Sequence, residues 1–200
     1  MENTQAVKQL SDEELASKVA IGSTSYFEEL ITRYSSRLYY FLRYRFKTDQ
    51  DIEDLIQETF LKAFRNIDRF KAEHKFSTWL YTIAIRLAIS RFRSEKKRSV
   101  SLDPSPSPPD PQDIVIQKEA SRNIWNLAST LRETQYEALW LYYGEDIQIK
   151  EMAKILNKKP ITVRVLLHRA RQNLGKRMGQ PITSGKMAET TSAAHKFSFL

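Results

Sequence analysis

The chain has 200 residues, a formal net charge of +8 and no cysteine, which excludes a disulfide framework and a cysteine-based zinc site. It begins with polar residues and has no apolar run long enough to span a bilayer, so we expect a cytoplasmic protein without a signal peptide. The basic balance indicates a polyanionic partner, with nucleic acid preferred over an anionic membrane surface.

The first part of the chain is predicted to form a small helical bundle. A short helix is expected to begin near Ser11, where Ser-Asp-Glu-Glu resembles a capping box. Three amphipathic helices follow, because apolar residues recur at steps of three and four positions and do not alternate with period two. Their stripes are Phe27, Leu30, Ile31, Tyr34, Leu38, Phe41 and Leu42; then Ile52, Leu55, Ile56, Thr59, Phe60, Ala63, Phe64 and Ile67; and finally Leu80, Ile83, Ala84, Leu87 and Ala88.

Acidic residues cluster at the start of the second of these helices. The cluster, which contains no Lys or Arg, consists of Asp49, Asp51, Glu53, Asp54 and Glu58. Acids in a first turn interact favourably with the helix dipole, which explains part of the cluster. A carboxylate metal site would need histidines at helical spacing, and the three histidines are badly placed for it. We therefore expect no metal, and a helix that docks a protein partner.

A basic segment with aromatic residues comes next. Between Lys71 and Arg98 stand eight Lys or Arg and two Glu, a net charge of +6. The aromatic residues in or beside it are Phe70, Phe76, Trp79, Tyr81 and Phe92. Cations with accessible rings suit single-stranded DNA, because unpaired bases stack on rings and phosphates follow the charge. Alternatively, Phe76 and Trp79 are simply core residues, and the polar loop from Lys71 to Lys75 is the preferred contact.

Five of the seven prolines lie between Pro104 and Pro111, which forbids a continuous helix and favours extended backbone. We interpret residues 99–116 as a flexible linker between two domains, 1–98 and 117–178. The alternative, a long loop inside one domain, is disfavoured by so many prolines. Residues 179–200 are polar, show no period and are expected to be disordered.

The second domain is predicted to contain four helices that end in a helix-turn-helix. Two short amphipathic helices are joined by a turn from Asn157 to Pro160, where Asn tolerates a left-handed backbone and Pro can open the next helix. The last helix, Ile161 to Arg177, carries five Lys or Arg and no acid. Such a helix can enter the major groove of DNA. The alternative is a solvated basic face on a structural helix.

These features together resemble the sigma factors of bacterial RNA polymerase. Asp51 to Phe64 resembles the helix by which sigma factors bind the polymerase clamp, and Phe76 to Ala84 resembles the next helix, which helps to read the minus-ten promoter element. Ile149 to Leu156, with the basic helix that follows, resembles the helix-turn-helix that reads the minus-thirty-five element. The two-domain layout is similar to the extracytoplasmic-function (ECF) group, the smallest members of the family.

The resemblance implies binding and not catalysis, with no cofactor and no small-molecule substrate. Core polymerase would be bound at its clamp helices and flap, with the clamp-binding residues being Asp51, Asp54, Leu55, Gln57, Glu58 and Phe60. The minus-ten element would be bound by Lys71, His74, Lys75, Ser77, Thr78, Trp79, Arg86, Arg91 and Arg93, and the loop near Lys71 to Ser77 would capture a flipped base. The minus-thirty-five element would be bound by Lys159, Thr162, Arg164, Val165, His168, Arg169 and Arg171.

The resemblance also implies a stress or envelope response and an anti-sigma partner. Partners of this kind include proteins that are anchored in the membrane. The linker would thread through the polymerase towards the RNA exit path. The sequence departs from the family pattern in several places. Arg86 stands where Asn is usual, and Ser90 where an acid is frequent. Arg132 replaces a common proline, while Lys159 and Ile161 replace a Ser cap and a Gly, so the last helix is expected to lack a good N-cap.

Two other functions fit parts of the pattern. A helix-turn-helix regulator that is not a polymerase subunit would bind DNA on its own, and we would expect it to bind as a dimer. An adaptor acting only through the acidic helix would be indifferent to replacement of Arg164 and Arg169.

Overall fold

The computed structural model describes residues 7–46, 48–98 and 119–179, and describes side chains as far as Arg91 in the first part and from Ile124 in the second. Throughout these ranges the regular structure is helical, and the chain divides into two compact units, Met1–Pro104 and Ser105–Leu200. The predicted all-α fold with two helical domains is confirmed. The predicted linker, 99–116, lies outside the described residues, as does the predicted tail beyond residue 179.

The described residues of the first unit include the helices α1 (Asp12–Ala20), α2 (Tyr26–Leu42), α3 (Asp49–Arg65) and α4 (Phe76–Arg98), with a short 3₁₀ turn at Ile67–Arg69. Helix α3 packs against α2 and α4, and α1 packs against α2 and α4. The largest fully buried side chains of this unit are Leu15, Leu30, Tyr34, Leu38, Phe41, Leu42, Ile52, Leu55, Phe76, Leu80 and Tyr81. The apolar stripes of the sequence thus form one core.

Helix α1 begins with the predicted capping box. The Glu14 amide donates to Ser11 Oγ at 3.2 Å, and the Ser11 amide donates to Glu14 Oε2 at 2.7 Å. Arg33 of α2 then fixes α1 in place by donating to Asp12 Oδ1 at 2.7 Å and to Glu29 Oε1 at 2.8 Å. Burial opposes the charge on Arg33, but these carboxylates outweigh burial and raise the pKa of its guanidinium. The contact therefore stays ionic and holds α1 against α2.

The second unit contains α5 (Glu119–Ser129), α6 (Glu133–Leu139), α7 (Ile149–Ile155) and α8 (Pro160–Arg177). Helix α6 ends at Leu139, and beyond it the backbone widens into a π-helical turn, Trp140–Gly144. The rings of Trp125, Tyr136 and Trp140 pack together in the core, with Trp125 and Trp140 centroids 4.8 Å apart. Aromatic burial of this kind compensates for the small size of the unit.

Some side chains differ from their expected burial. Ile31 and Phe64 were placed on apolar stripes, yet 37% and 38% of their surfaces are exposed. Both lie at the margins of their stripes, where a helix turns away from its neighbours. Conversely, Glu137 and Glu145 are buried at 3% and 4% exposure, which no apolar period could have indicated.

Candidate functional site

The acidic start of α3 is an ordered cluster. Thr48 caps the helix, with its Oγ1 accepting from the Asp51 amide at 3.2 Å and donating to the Asp51 carboxylate. Gln50 donates to Asp54 Oδ1 at 3.0 Å, and the Tyr39 hydroxyl donates to Asp49 Oδ1 at 2.7 Å. The last of these bonds raises the pKa of Tyr39, so its hydroxyl stays a donor. Thr48 therefore caps α3, while the acids near its start interact favourably with the helix dipole and accept bonds from neighbouring side chains.

Arg91 of α4 joins this cluster. It was expected to hold the promoter backbone, but its Nη2 lies 3.0 Å from Asp51 Oδ1 and 3.6 Å from Asp54 Oδ2, and its Nη1 donates to the Asp51 carbonyl at 3.3 Å. The guanidinium is thus engaged by two of the residues expected to bind polymerase. In this structure Arg91 ties α4 to α3, and its contact with the promoter backbone stays a prediction.

Two of the residues expected to contact polymerase belong to the core. Leu55 is fully buried and Phe60 is 6% exposed, with the Phe60 ring packed edge-on to Phe27. They lie on the inner face of α3 and cannot present their side chains to a partner. Gln57 and Glu58, by contrast, lie on the exposed face.

Sequence reasoning missed two apolar residues on the exposed part of α3. Leu61 is 49% exposed and Phe64 is 38% exposed, with the Phe64 ring 5.1 Å from that of Phe27. Leu61 falls outside the apolar stripe of its helix, and a large apolar residue outside a stripe is the signal that could have identified it. With Gln57 and Glu58 they form what we call the α3 outer face.

The loop from Lys71 to Lys75 is exposed along its whole length, and a turn closed by the His74 amide and the Lys71 carbonyl at 2.9 Å shapes it. The next two expected contacts, Ser77 and Thr78, are instead buried at 7% and 8% exposure because they lie in the first turn of α4 against the core. Within the described part of the chain, the Thr78 hydroxyl has no hydrogen-bond partner.

The aromatic residues of this region divide between core and surface. Phe76 and Tyr81 are fully buried, so the alternative that rings in this segment are core residues holds for them. Trp79 is half-buried, with its ring 5.5 Å from Phe70 and 5.8 Å from Phe76. Arg86 is exposed on α4. The side chains of Phe92 and of Arg93, the remaining expected contact, lie outside the described residues.

A carboxylate from a distant helix caps α4. Lys75, the residue before α4, has no side-chain oxygen that could accept a bond from the first turn. Glu13 of α1 supplies one, since its Oε1 accepts from the Phe76 amide at 2.9 Å. Helix α1 thereby fixes the point at which the exposed loop enters α4.

Replacing Glu13 by Ala is expected to lower the free energy of unfolding by about 1 kcal/mol, the usual cost of a lost helix cap. Glu13→Gln should recover most of this loss, because its amide oxygen can accept the same bond. Urea unfolding measures both, with Glu28→Ala as a control for an exposed acid in the first turn of α2. Equal stability of the wild type and the Ala variant would refute the capping role.

The helix-turn-helix is closed by backbone bonds around Asn157. This residue adopts a left-handed φ of 51°, as its type predicted. The Lys158 amide donates to the Ala153 carbonyl at 2.9 Å, and the Asn157 amide donates to the Lys154 carbonyl at 3.3 Å. Lys159 precedes α8 and makes no side-chain cap, and Pro160 opens the helix. Helix α8 therefore begins without a side-chain N-cap, as the sequence predicted.

Helix α8 turns most of its expected DNA contacts outward. The exposed ones are Lys159, Thr162, Arg164, Val165, His168 and Arg169. Arg171 differs, because its Nη1 donates to the Tyr143 hydroxyl at 3.1 Å and the side chain is half-buried. In this structure Arg171 fastens α8 to the π-helical turn, and its DNA contact stays a prediction. The inner face is formed by Val163, Leu167, Ala170 and Leu174.

Comparison with known proteins identifies the family. Residues 30–98 match Sigma-70 region 2, and residues 121–174 match Sigma-70, region 4. The chain is 30% identical over 175 residues to the ECF RNA polymerase sigma factor SigW of Bacillus subtilis, covering 80% of this chain and 93% of that protein. The chain belongs to the ECF RNA polymerase sigma factors. As a sigma factor, it directs promoter-specific transcription initiation by RNA polymerase.

Other similarities agree with this family. The ECF RNA polymerase sigma-E factor of Haemophilus influenzae is 28% identical over 188 residues, covering 88% of this chain and 98% of that one. Among solved structures, CnrH in complex with the cytosolic domain of CnrY has a TM-score of 0.60 at 22% identity, covering 84% of this chain and 97% of that one. RpoE with the anti-sigma factor NepR from Bartonella quintana has a TM-score of 0.61 at 20% identity, covering 76% and 96%. Both structures support the fold of this sigma factor.

None of the helices described for this sigma factor is both long and apolar enough to cross a membrane. Nor does the described part of the chain gather three or more side chains of the types that bind metal ions.

Proposed function

We propose that this sigma factor binds core polymerase through the α3 outer face and the carboxylates beside it. The observation that carries the proposal is the exposure of Leu61 and Phe64 next to Gln57 and Glu58. An apolar patch rimmed by polar groups is typical of a protein interface. Asp51 and Asp54 contribute their charge to the same end of α3, while Leu55 and Phe60 support the face from below.

The loop from Lys71 to Lys75 is proposed to meet the minus-ten element of the promoter. Its exposure and its cations suit a phosphate backbone, and the half-buried Trp79 offers a ring edge beside it. The same loop is proposed to capture an unstacked base, and the buried Ser77 and Thr78 support it from the first turn of α4. Arg86 continues the cationic surface along α4.

Helix α8 is proposed to read the minus-thirty-five element. Its exposed face carries Arg164, His168 and Arg169, and no acid stands anywhere along the helix. Recognition helices of helix-turn-helix proteins place their N-terminal residues against base edges in the major groove. The exposed Lys159 and Thr162 stand at that end and suit phosphate contacts.

In vitro transcription with purified core polymerase tests the proposed role of α8. The wild type is expected to direct initiation from promoters of its source genome, and Arg164→Ala with Arg169→Ala should reduce initiation at least tenfold while core binding persists. A matched control is Lys8→Ala with Lys18→Ala, which removes two cations of the first unit that are far from α8 in the sequence. Undiminished transcription by the α8 variant would support the adaptor function, and failure of the wild type at every promoter would exclude initiation.

We further propose an anti-sigma partner and a cytoplasmic, non-catalytic role in a stress or envelope response. The support is that two fold neighbours were solved with partners, CnrH with the cytosolic domain of CnrY and RpoE with the anti-sigma factor NepR. Such a partner could cover the α3 outer face and so compete with polymerase. Purification from unstressed cells without any inhibitory partner would count against this proposal.

A further inference from the structure

In the first turns of α8 the centre of the exposed face is apolar and arginines stand to its sides, while further along the helix the exposed His168 and Gln172 continue the same line. Val163, Leu167, Ala170 and Leu174 define the inner face. Successive residues turn by about 100° around a helix axis, so the direction opposite to that inner face falls close to Ile161 and Val165.

Both side chains are open to solvent. Ile161 is 60% exposed and Val165 is 43% exposed, although burial of their remaining apolar surface would be favourable. On the same wheel, Arg164 lies roughly 60° from Ile161 on one side and Arg169 roughly 40° from Val165 on the other. The outer face of α8 thus begins with an apolar ridge, formed by Ile161 and Val165, between two cationic flanks.

The charge around the ridge indicates which partner covers it. Helix α8 holds no acid, and the exposed Lys158 and Lys159 precede it. A partner must therefore present a polyanionic surface and, within it, small apolar groups. The major groove of DNA combines the two, because phosphates line its walls and the C5-methyl group of thymine projects from its floor.

We propose that Ile161 and Val165 read thymine methyl groups in the minus-thirty-five element. The proposal rests on the proposed role of α8. It adds Ile161, which the sequence analysis did not assign to DNA, and gives Val165 a specific chemical partner. Arg164 and Arg169 then meet phosphates or guanine edges at the two sides of the ridge.

The spacing of the two side chains makes the proposal specific. Four residues separate them, which corresponds to about 6 Å along the helix axis. Base pairs are stacked at about 3.4 Å. The two side chains therefore address A·T pairs one or two steps apart, one methyl group each.

Deoxyuridine provides the test, because it differs from thymidine only by the missing methyl group. Holoenzyme assembled from core polymerase and the full chain first selects its minus-thirty-five element from a randomised pool. Each thymine of either strand in that element is then replaced singly by deoxyuridine, and the affinity of holoenzyme for each duplex is measured by competition.

The wild type is expected to lose about fourfold in affinity at one or two thymines, as expected for one buried methyl group. Ile161→Ala should abolish the loss at one of them and Val165→Ala the loss at the other. Ile21→Ala, which removes an 82% exposed isoleucine in the first unit, should retain the wild-type pattern.

Two results would overturn the proposal. Unchanged affinity for every deoxyuridine duplex would do so, and so would Ile161→Ala lowering affinity for core polymerase without changing the deoxyuridine pattern. The proposed role of α8 is tested separately: if scrambling the whole selected element leaves holoenzyme affinity unchanged, α8 does not read it. Sensitivity to scrambling without sensitivity to deoxyuridine leaves the role of α8 intact and refutes only the methyl contacts.

Discussion

Core polymerase is expected to bind the double variant Glu58→Lys, Leu61→Ala about thirtyfold more weakly than the wild type. The two residues lie together on the α3 outer face, and Leu61 is 49% exposed near its centre. Truncating a hot-spot residue near the centre of an interface costs about 2 kcal/mol of binding free energy. Reversing the nearby charge of Glu58 adds to that loss, because the partner's surface is expected to complement an acidic helix. Titration of labelled sigma factor with core polymerase measures the change.

The matched control is Ile21→Ala with Glu28→Lys. It makes the same kinds of change at exposed positions, at the end of α1 and in the first turn of α2. This control should bind core polymerase within about twofold of the wild type, since isolated surface changes have small effects. If the control and the α3 variant bind equally well, the α3 outer face is not the polymerase-binding surface.

Leu55→Ala is expected to lower the free energy of unfolding by about 2–5 kcal/mol, as for other buried leucines. Leu55 is fully buried between α3 and its neighbours, so the shorter side chain leaves a cavity. Far-UV circular dichroism during urea unfolding measures the loss, and the transition of the first unit should move to lower urea. At temperatures where the variant stays folded, its affinity for core polymerase should remain near that of the wild type.

Leu61→Ala alone is the internal comparison on the same helix. Its side chain is half open to solvent, so its unfolding free energy should change by less than about 0.5 kcal/mol. The pair therefore separates support from contact: one leucine matters for stability and the other for binding. Equal stabilities of the two variants would contradict the core position assigned to Leu55.

The features that the sequence predicted correctly involve residues that are close together along the chain. The Ser11 capping box and the left-handed Asn157 involve residues within a few positions of each other, so their types alone indicate the geometry. The apolar stripes likewise follow from the helical period, and they identified most of the core. The order of motifs was sufficient to indicate the family.

What the sequence could not predict depends on residues that meet only in the folded chain. Glu13 caps α4 across 63 positions, and Arg91 pairs with Asp51 across 40. Periodicity assigns a residue to a face of its helix, but it does not show how much of that face the neighbouring helix covers. Phe64 was therefore placed inside although it is partly exposed. Periodicity did place Leu55 and Phe60 inside, and only the family resemblance assigned them to the polymerase-binding surface.

The pairing of Arg91 with Asp51 and Asp54 has a consequence for genetics. A screen for promoter defects would recover Arg91 substitutions and attribute them to lost DNA contacts, yet their first effect would be two carboxylates left without their counter-charge at the start of α3. Suppressors of such alleles should then arise at Asp51 or Asp54 in the same chain, and changes in promoter sequence should not rescue them. Substitutions in α4 and in α3 would thus affect the same phenotype, although the two helices carry separate motifs.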